Sequence, residues 1–524
     1  MNRITLIKPP VTYRYNGLDV REESILTYLG GYLESVGFQD FTTFDFHLQR
    51  DLTFDHILDA STEEYVVSVR ETGDSVHYAL RLANALSERT SARIWLYGHT
   101  ARLNHLSNLP SRVSLCQHNE SELATRIGIK GEAASFETGL KSRPYFTLLN
   151  LEEWQLKRFK ASIETTRGCH YPCKFCFINA GYNHSKKWQV RPIDAILSDL
   201  RQYQLLGITN IVFSDSEFLG ADVREHLRKG ELLKRMIEEL SPVNYKIYAR
   251  GDTLLKFGNW DLLKKSGLVS VFMGVESLYQ PDLDTLKKNT SVETLVEAIK
   301  SLRDRSIYMV MSFILFNRNA STASIRANLD HLQELFASPN SRYLGMPYFL
   351  FGFESGWSVQ KTQTLSSQTY IAWDVLMKTQ PMSGACFDVS LEPLMEIYRL
   401  LAYEWGRKTT QLNLARDGAG EADIAAIESW FSSLGKFCLQ IMYYFLELFE
   451  NGHLKLENLG EARDELFEMI QKYHNQLPPH LKNLETYDAH AGQLEYGKEV
   501  SQLEGDEYWE NQIPFSAMLA NSIS

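Results

Sequence analysis

The 524-residue sequence lacks any uncharged apolar run approaching the ~20 residues of a bilayer span. Its richest apolar stretch, Ala425 to Phe449, is interrupted by Glu428, Lys436 and Glu447 and reads as a buried helix. Basic excess is also missing: the formal net charge is -11, which argues against a broad basic face for nucleic acid. No internal repeat or low-complexity segment appears. The first residues, Met1 to Pro10, are a short apolar run stopped by Pro9 and Pro10, unlike a signal peptide. Cysteine is scarce, at six residues, and three of them fall in one stretch, which suits a reducing, cytoplasmic setting. With 44% hydrophobic and 23% charged residues, the chain has the composition of a globular protein of two or three domains.

The cysteine stretch organises the rest. In Glu164-Thr-Thr-Arg-Gly-Cys169-His-Tyr-Pro-Cys173-Lys-Phe-Cys176, three residues and then two separate the thiols. A disulfide between any two would leave a third thiol beside it. Three convergent thiolates suit a soft metal centre. A [4Fe-4S] cluster normally takes four cysteines, so three would leave one iron open to a non-protein ligand. Zinc would want a fourth Cys or His, for which His170 and His184 are available. Ala161 to Thr165 reads as a strand, which puts the loop at a strand's C-terminal end, where α/β barrels place their chemistry.

This spacing, with Phe175 just before the third cysteine, resembles the signature of the radical S-adenosylmethionine (SAM) superfamily. The resemblance implies that Cys169, Cys173 and Cys176 hold a [4Fe-4S] cluster. It also implies that SAM binds the open iron and that one electron splits it into methionine and a 5′-deoxyadenosyl radical. Phe175 would pack near the adenine, and a flavodoxin or ferredoxin would supply the electron. Downstream, strands at 210–214, 244–249, 269–274, 308–315 and 348–351 alternate with helices. With Ala161 to Thr165 they make six units that match the family's partial (β/α)6 barrel. Polar residues close these strands. Ser214, Asp215, Arg250, Glu276, Ser277, Ser312 and Asn317 are the SAM-contact candidates, against the alternative of helix caps and loop polar groups.

The first 127 residues alternate strand and helix, which implies a parallel, doubly wound sheet. Ile7-Lys-Pro-Pro10, Tyr28-Leu-Gly-Gly-Tyr-Leu-Glu-Ser-Val-Gly37 and Leu96-Tyr-Gly-His99 resemble a cobalamin-binding type domain. The residues leave cobalamin itself open. The Asp-x-His-x-x-Gly signature is missing, Val69 is followed by Arg70, and Tyr97 stands where a small residue would let a flat macrocycle approach. Residues 128–155 read as a connector, 156–355 as the barrel, and 356–524 as a mainly helical cap and tail. Cys116, Cys386 and Cys438 lie far apart in sequence, so no auxiliary cluster is expected, and Cys438 reads as helix core.

Cys386 sits in Met382-Ser-Gly-Ala-Cys386-Phe-Asp388, a small-residue loop after the barrel. Its placement resembles that of radical SAM peptide epimerases of the proteusin type, in which such a cysteine returns a hydrogen atom to the α-carbon. The alternative is a buried loop cysteine. Two readings follow. The first is L-to-D epimerisation of a ribosomal peptide, with Cys386 as hydrogen donor; Cys386 and the weak corrin pocket favour it. The second is cobalamin-dependent C-methylation of a peptide or small natural product. No membrane or nucleic-acid partner is expected.

Overall fold

The computed structural model describes residues 3–9, 20–46, 48–49, 52, 54–59, 61–69, 73–98, 109–173, 175–176, 188–317, 319–338, 340–344, 348–349, 389–398, 400–401 and 421–476. Cys386, the expected helix at 366–378, Arg70, His99, His184 and the tail after Pro478 lie outside the described residues.

The chain opens with β1 (Arg3–Lys8), α1 (Ser24–Ser35), β2 (Phe41–Asp45), α2 (Phe54–Ile57), β3 (Thr62–Val69), α3 (Gly73–Arg89), β4 (Arg93–Gly98), β5 (Val113–Gln117) and α4 (Glu120–Arg126). All pairings are parallel, in the order β2-β1-β3-β4-β5. Apolar residues occupy both faces of the central strands, as a sheet covered on both sides requires. Leu6, Val66, Trp95 and Tyr97 share one core with Ile25 and Leu29 of α1. Ile7, Val67 and Leu96 share another with Leu82 and Leu86 of α3. Chain order reverses between β1 and β3, and doubly wound sheets bind ligands beyond the strand ends at such a point.

Tyr97 departs from the expectation that its bulk would crowd this edge. Its ring is fully buried in the core shared with α1, because side chains alternate along the strand and Tyr97 takes the α1 face. Gly98 forms the edge itself. Its φ is +127°, and a Cβ there would lie 2.5 Å from the Val69 carbonyl oxygen, so only glycine fits.

The connector is docked rather than loose. The Arg143 amide donates to the Thr27 carbonyl at 2.9 Å. The Tyr145 hydroxyl donates to Asp45 at 2.8 Å and accepts from the Glu23 amide at 2.8 Å. Glu22, 1% exposed, accepts from the Tyr145 and Phe146 amides, and from the Tyr203 hydroxyl at 2.8 Å.

After α5 (Glu153–Arg158) come β6 (Ala161–Ile163) and an antiparallel ribbon of β7 (Thr166–Gly168) and β8 (Trp188–Val190). The alternation then resumes with α6 (Ile193–Leu205), β9 (Asn210–Phe213), α7 (Val223–Glu239), β10 (Asn244–Arg250), α8 (Gly251–Phe257) and α9 (Trp260–Lys265). It continues through β11 (Leu268–Glu276), α10 (Gln280–Thr285), α11 (Val292–Asp304), β12 (Tyr308–Phe313), α12 (Thr322–Ala337) and β13 (Tyr348–Phe349). Six parallel strands run in the order β13-β12-β11-β10-β9-β6. Each strand therefore pairs with the next in sequence, and all their C-terminal ends share one edge. Ile211, Ile247, Met273 and Met311 pack with the helices in the same apolar cluster that holds Ile4, Leu29 and Tyr97. The two sheets thus share a core.

Residues 392–398 and 400–401 are helical (α13), followed by α14 (Glu421–Glu450) and α15 (Leu459–Asn475). The Tyr398 hydroxyl donates to the Met442 carbonyl at 2.6 Å, joining α13 to α14. Cys438 is 2% exposed in the core, in accord with its reading from sequence. Among the described residues, no helix is long and apolar enough to cross a membrane.

Glu22 yields a pH prediction. Burial pushes its carboxyl up to about 8, against three hydrogen bonds that oppose the rise. A folded-state pKa above the unfolded value contributes stability below the unfolded value, near 4.5, which is lost as pH rises through about 8. Glu22→Gln keeps the shape and an acceptor oxygen but cannot ionise. Denaturant titrations between pH 5 and 8 should show wild-type stability falling relative to Glu22→Gln. Parallel curves would contradict the assignment.

Candidate active site

The cysteine stretch is the loop of a hairpin. Thr166 pairs with Val190, Arg167 with Gln189 and Gly168 with Trp188, and the cysteines follow immediately. The sequence reads a single strand over 161–165; instead the chain leaves the sheet after Ile163. Asp215 explains the departure. Its carboxylate accepts from the Thr165 amide at 2.6 Å, the Thr166 amide at 3.0 Å and the Thr165 hydroxyl. Lys229 of α7, fully buried, pairs with it at 3.0 Å. Both residues lose the favourable hydration of their charges, and the ion pair with its hydrogen bonds compensates.

Arg250, at the end of β10, ties the cysteine loop to the next strands. Its guanidinium donates to the Cys173 sulfur at 3.5 Å, to Asp252 at 2.8 Å and to the Lys288 carbonyl at 2.6 Å. It also lies 3.9 Å from the centre of the Tyr171 ring. Burial pushes the Cys169 thiol up to about 11. Among the described residues, no three Cys, His, Asp or Glu side chains are gathered into a metal-holding group. The three thiols share a loop rather than a finished coordination sphere.

The neighbouring strand end is built around Glu276, whose φ is +69°. The pairing of β11 with β12 slips between Gly274 and Glu276. The 4%-exposed carboxylate then meets Lys288 at 3.0 Å and the Ser312 hydroxyl at 3.2 Å. A Cβ on Gly274 would lie 2.5 Å from the Glu276 carboxylate and 2.7 Å from the Lys288 ammonium, so glycine makes the room for this pair. Lys288 also lies 5.7 Å from the centre of the Phe175 ring, on the cysteine loop. Lys287 and Asn289, on either side of it, both have positive φ. Such strain persists only where the surroundings over-determine the backbone.

Residues 163–326 match the family model of the radical SAM superfamily. The chain carries a radical SAM domain. Hopanoid C-3 methylase from Methylococcus capsulatus is 30% identical over 155 residues, 29% of this chain and 28% of that protein. In each curated relative, the matched stretch covers less than half of the relative's length. The fold is similar over 100% of this chain, and 83% of the other, to the cobalamin-dependent S-adenosylmethionine radical enzyme OxsB with aqua-cobalamin bound (TM-score 0.61, 16% identity). The methyltransferase TsrM from Kitasatospora setae, with tryptophan and a SAM analogue bound, matches 68% of this chain and 76% of its own (TM-score 0.50, 16% identity).

The radical SAM domain brings Phe175, Arg250, Glu276 and Ser312 around the cysteine loop, through the contacts above. Ser214, just past β9, has a buried hydroxyl oxygen with no partner among the described residues. Three soft donors on one loop, with the Glu276 carboxylate and Ser312 hydroxyl at the ends of the neighbouring strands β11 and β12, fit an iron–sulfur cluster with SAM. Other candidates are used inside the scaffold. Asp215 is filled by the hairpin base. Ser277 bonds Asp282 at 2.9 Å and Asn328 at 3.1–3.2 Å, beneath α10. Asn317 accepts from the Asn319 amide at 2.9 Å and donates to the Ile314 carbonyl at 3.4 Å. Asp215 thus serves the hairpin base, while Ser277 and Asn317 bond within the turns that follow their strands.

Sequence reasoning missed Glu217 and Lys288. Glu217 accepts from the Arg250 amide at 2.7 Å and the Thr253 hydroxyl at 2.9 Å, fastening the end of β9 to that of β10. Burial pushes its carboxyl up to about 7. Its position two residues past Asp215 was a usable signal. Lys288 had none, because its importance comes from a backbone reversal that Leu286-Lys-Lys-Asn289 does not advertise.

Removing one partner of a buried pair strands the other charge. Glu276→Ala should therefore cost about 3–5 kcal/mol of stability. It should also weaken SAM binding by about 1.5–3 kcal/mol. The double variant Glu276→Ala/Lys288→Met should recover most of the stability but not the SAM affinity. Unchanged affinity in both, measured by calorimetry, would remove Glu276 from the SAM site.

Proposed function

We propose that this protein is a cobalamin-dependent radical SAM enzyme that transfers a methyl group to an unactivated carbon of a small natural product or peptide. The observation that carries the reading is the joining of two edges. A three-cysteine hairpin stands at the C-terminal edge of the six-stranded sheet. A doubly wound sheet of order β2-β1-β3-β4-β5 shares its core. The likeness to OxsB across the whole chain and the stretch shared with a C-methylase support it.

In this reading Cys169, Cys173 and Cys176 hold the cluster, while Glu276, Ser312, Ser214 and Phe175 hold SAM. Gly98 at the end of β4 adds no side chain to that edge, which suits the approach of a flat corrin. When bound, the cluster and SAM supply one-electron chemistry at carbon, and the corrin supplies the carbon carrier. The chain's own residues do the positioning. Arg250 holds the cysteine loop by Cys173 and Tyr171, Glu217 holds Arg250 by its amide, and Lys288 holds the Glu276 carboxylate in place. Preorganisation of this kind determines whether reacting groups meet at the right distance. A flavodoxin or ferredoxin would deliver the electron. Epimerisation rests on Cys386, outside the described residues, and no relative reported above is described as an epimerase. Methylation is therefore the preferred reading.

Anaerobic reconstitution with hydroxocobalamin present should give about four irons per chain and one bound corrin. Replacing Cys169, Cys173 and Cys176 together by Ala should abolish the iron and the cleavage of SAM to 5′-deoxyadenosine, leaving the corrin bound. Iron retained by that variant would refute the cluster assignment. Protein that takes up iron but no corrin would refute the methylation reading. A product gaining one deuterium from heavy water and no carbon would restore epimerisation.

A further inference from the structure

The hairpin that bears the cysteines is gripped at its base by two buried arginines, one per strand. Arg167, two residues before Cys169, donates to both oxygens of Glu120, at 2.8 and 3.2 Å, and to Glu164 at 2.6 Å. Arg191, directly after β8, donates to Asp199 at 2.7 Å, to the Leu140 carbonyl at 2.8 Å and to the Tyr28 hydroxyl at 2.9 Å. Both guanidinium groups lie over the same Tyr28 ring, at 5.3 and 4.9 Å from its centre. The Tyr28 hydroxyl also accepts from the Glu164 amide at 3.1 Å, and Ser24 donates to the Glu164 carboxylate at 2.9 Å. Arg167 is 4% exposed, and Tyr28 and Arg191 are fully buried.

Glu120, Ser24 and Tyr28 come from the N-terminal domain, whereas Glu164, Asp199 and Leu140 belong to the radical SAM domain and the connector. Glu120 opens α4 just beyond the C-terminal end of β5, and Ser24 and Tyr28 lie in α1, the helix that follows β1. Burial works against a charge on Glu120, yet the Arg167 guanidinium and His118 hold its carboxyl well below the usual range. A bidentate arginine stacked on an aromatic ring has one geometry, which lysine does not reproduce.

We infer that Arg167 and Arg191, closed on Tyr28, form a clamp that sets the cysteine hairpin at a fixed distance from the C-terminal edge of the N-terminal sheet. Its purpose rests on the reading above, in which groups held at the two edges must meet. Arg167, Arg191, Tyr28 and Glu120 are then positioning residues, engaged with one another and with the scaffold, and they act through the spacing of the two edges.

The test uses the full chain, reconstituted with iron, sulfide and hydroxocobalamin, as wild type and as Tyr28→Phe, Arg167→Lys and Glu120→Gln. Hydrogen exchange read by mass spectrometry should accelerate about tenfold in the peptides covering 164–176 and 188–191 of the variants. Peptides from α11 and β12 should not change. The second readout is the relaxation of the cob(II)alamin electron spin by the reduced cluster, which depends on their separation. It should be strong and uniform in wild type, and weakened or spread in the variants at unchanged iron and corrin content. A further variant, Arg167→Gln, which also removes the charge, should show less hairpin protection than Arg167→Lys. Unchanged hairpin exchange, or spin relaxation identical to wild type, would overturn the clamp. Wild type that binds no corrin would sink the two-cofactor reading alone. The exchange measurement would still decide the clamp.

Discussion

Charge taken out of water must be matched by opposite charge and directed hydrogen bonds, and this requirement shapes the centre of the molecule. Arg167, Arg191, Lys229 and Lys288 are all nearly or wholly buried. Each is answered by a carboxylate within 3.0 Å: Glu120 and Glu164, Asp199, Asp215, and Glu276 respectively. Every one of these pairs joins two segments distant in sequence or closes a turn beside the cysteine hairpin. Losing one partner would leave a bare charge in the core, so each pair is costly to break singly and fixes which segments must meet.

Apolar packing then sets where the pairs can be. The six strands run in sequence order, so each βα unit adds one strand end to a common edge, and polar residues at those ends converge without long-range coding. The N-terminal sheet reaches the same region from the other side through α1 and the docked connector. Tyr145 and Tyr203 bind the carboxylates of Asp45 and Glu22 across that junction.

Periodic and local features were legible in the sequence. The cysteine spacing, the strand alternation in both sheets and the long α14 helix all appear where the residues imply them. The directions of the strand-end side chains were not legible in the same way. Whether Asp215 faces a ligand or the amides of Thr165 and Thr166 depends on where the chain leaves the sheet, which is a tertiary decision. Tyr97 was misjudged for a similar reason: alternation along β4 turns its ring away from the edge, and the adjacent Gly98 sets the edge height. Lys288 was silent because a backbone reversal brings it to Glu276, and the two clamp arginines because Glu120 and Tyr28 lie far from them in sequence. The preference for epimerisation leaned on Cys386, which lies outside the described residues, and on a corrin edge judged from Tyr97, whose ring is turned into the core shared with α1.

The common core has a consequence for how such a chain can change over generations. Leu29 and Tyr97 lie in the same apolar cluster as Ile163 and Phe213, so the front and rear of the chain are not interchangeable parts. A recombination event that replaced the first 127 residues would bring a new α1 against an old hairpin. It would keep function only if it also carried matching residues at 136, 142–146, 164–167, 191, 199 and 203. The two halves of the chain are therefore constrained together at this junction.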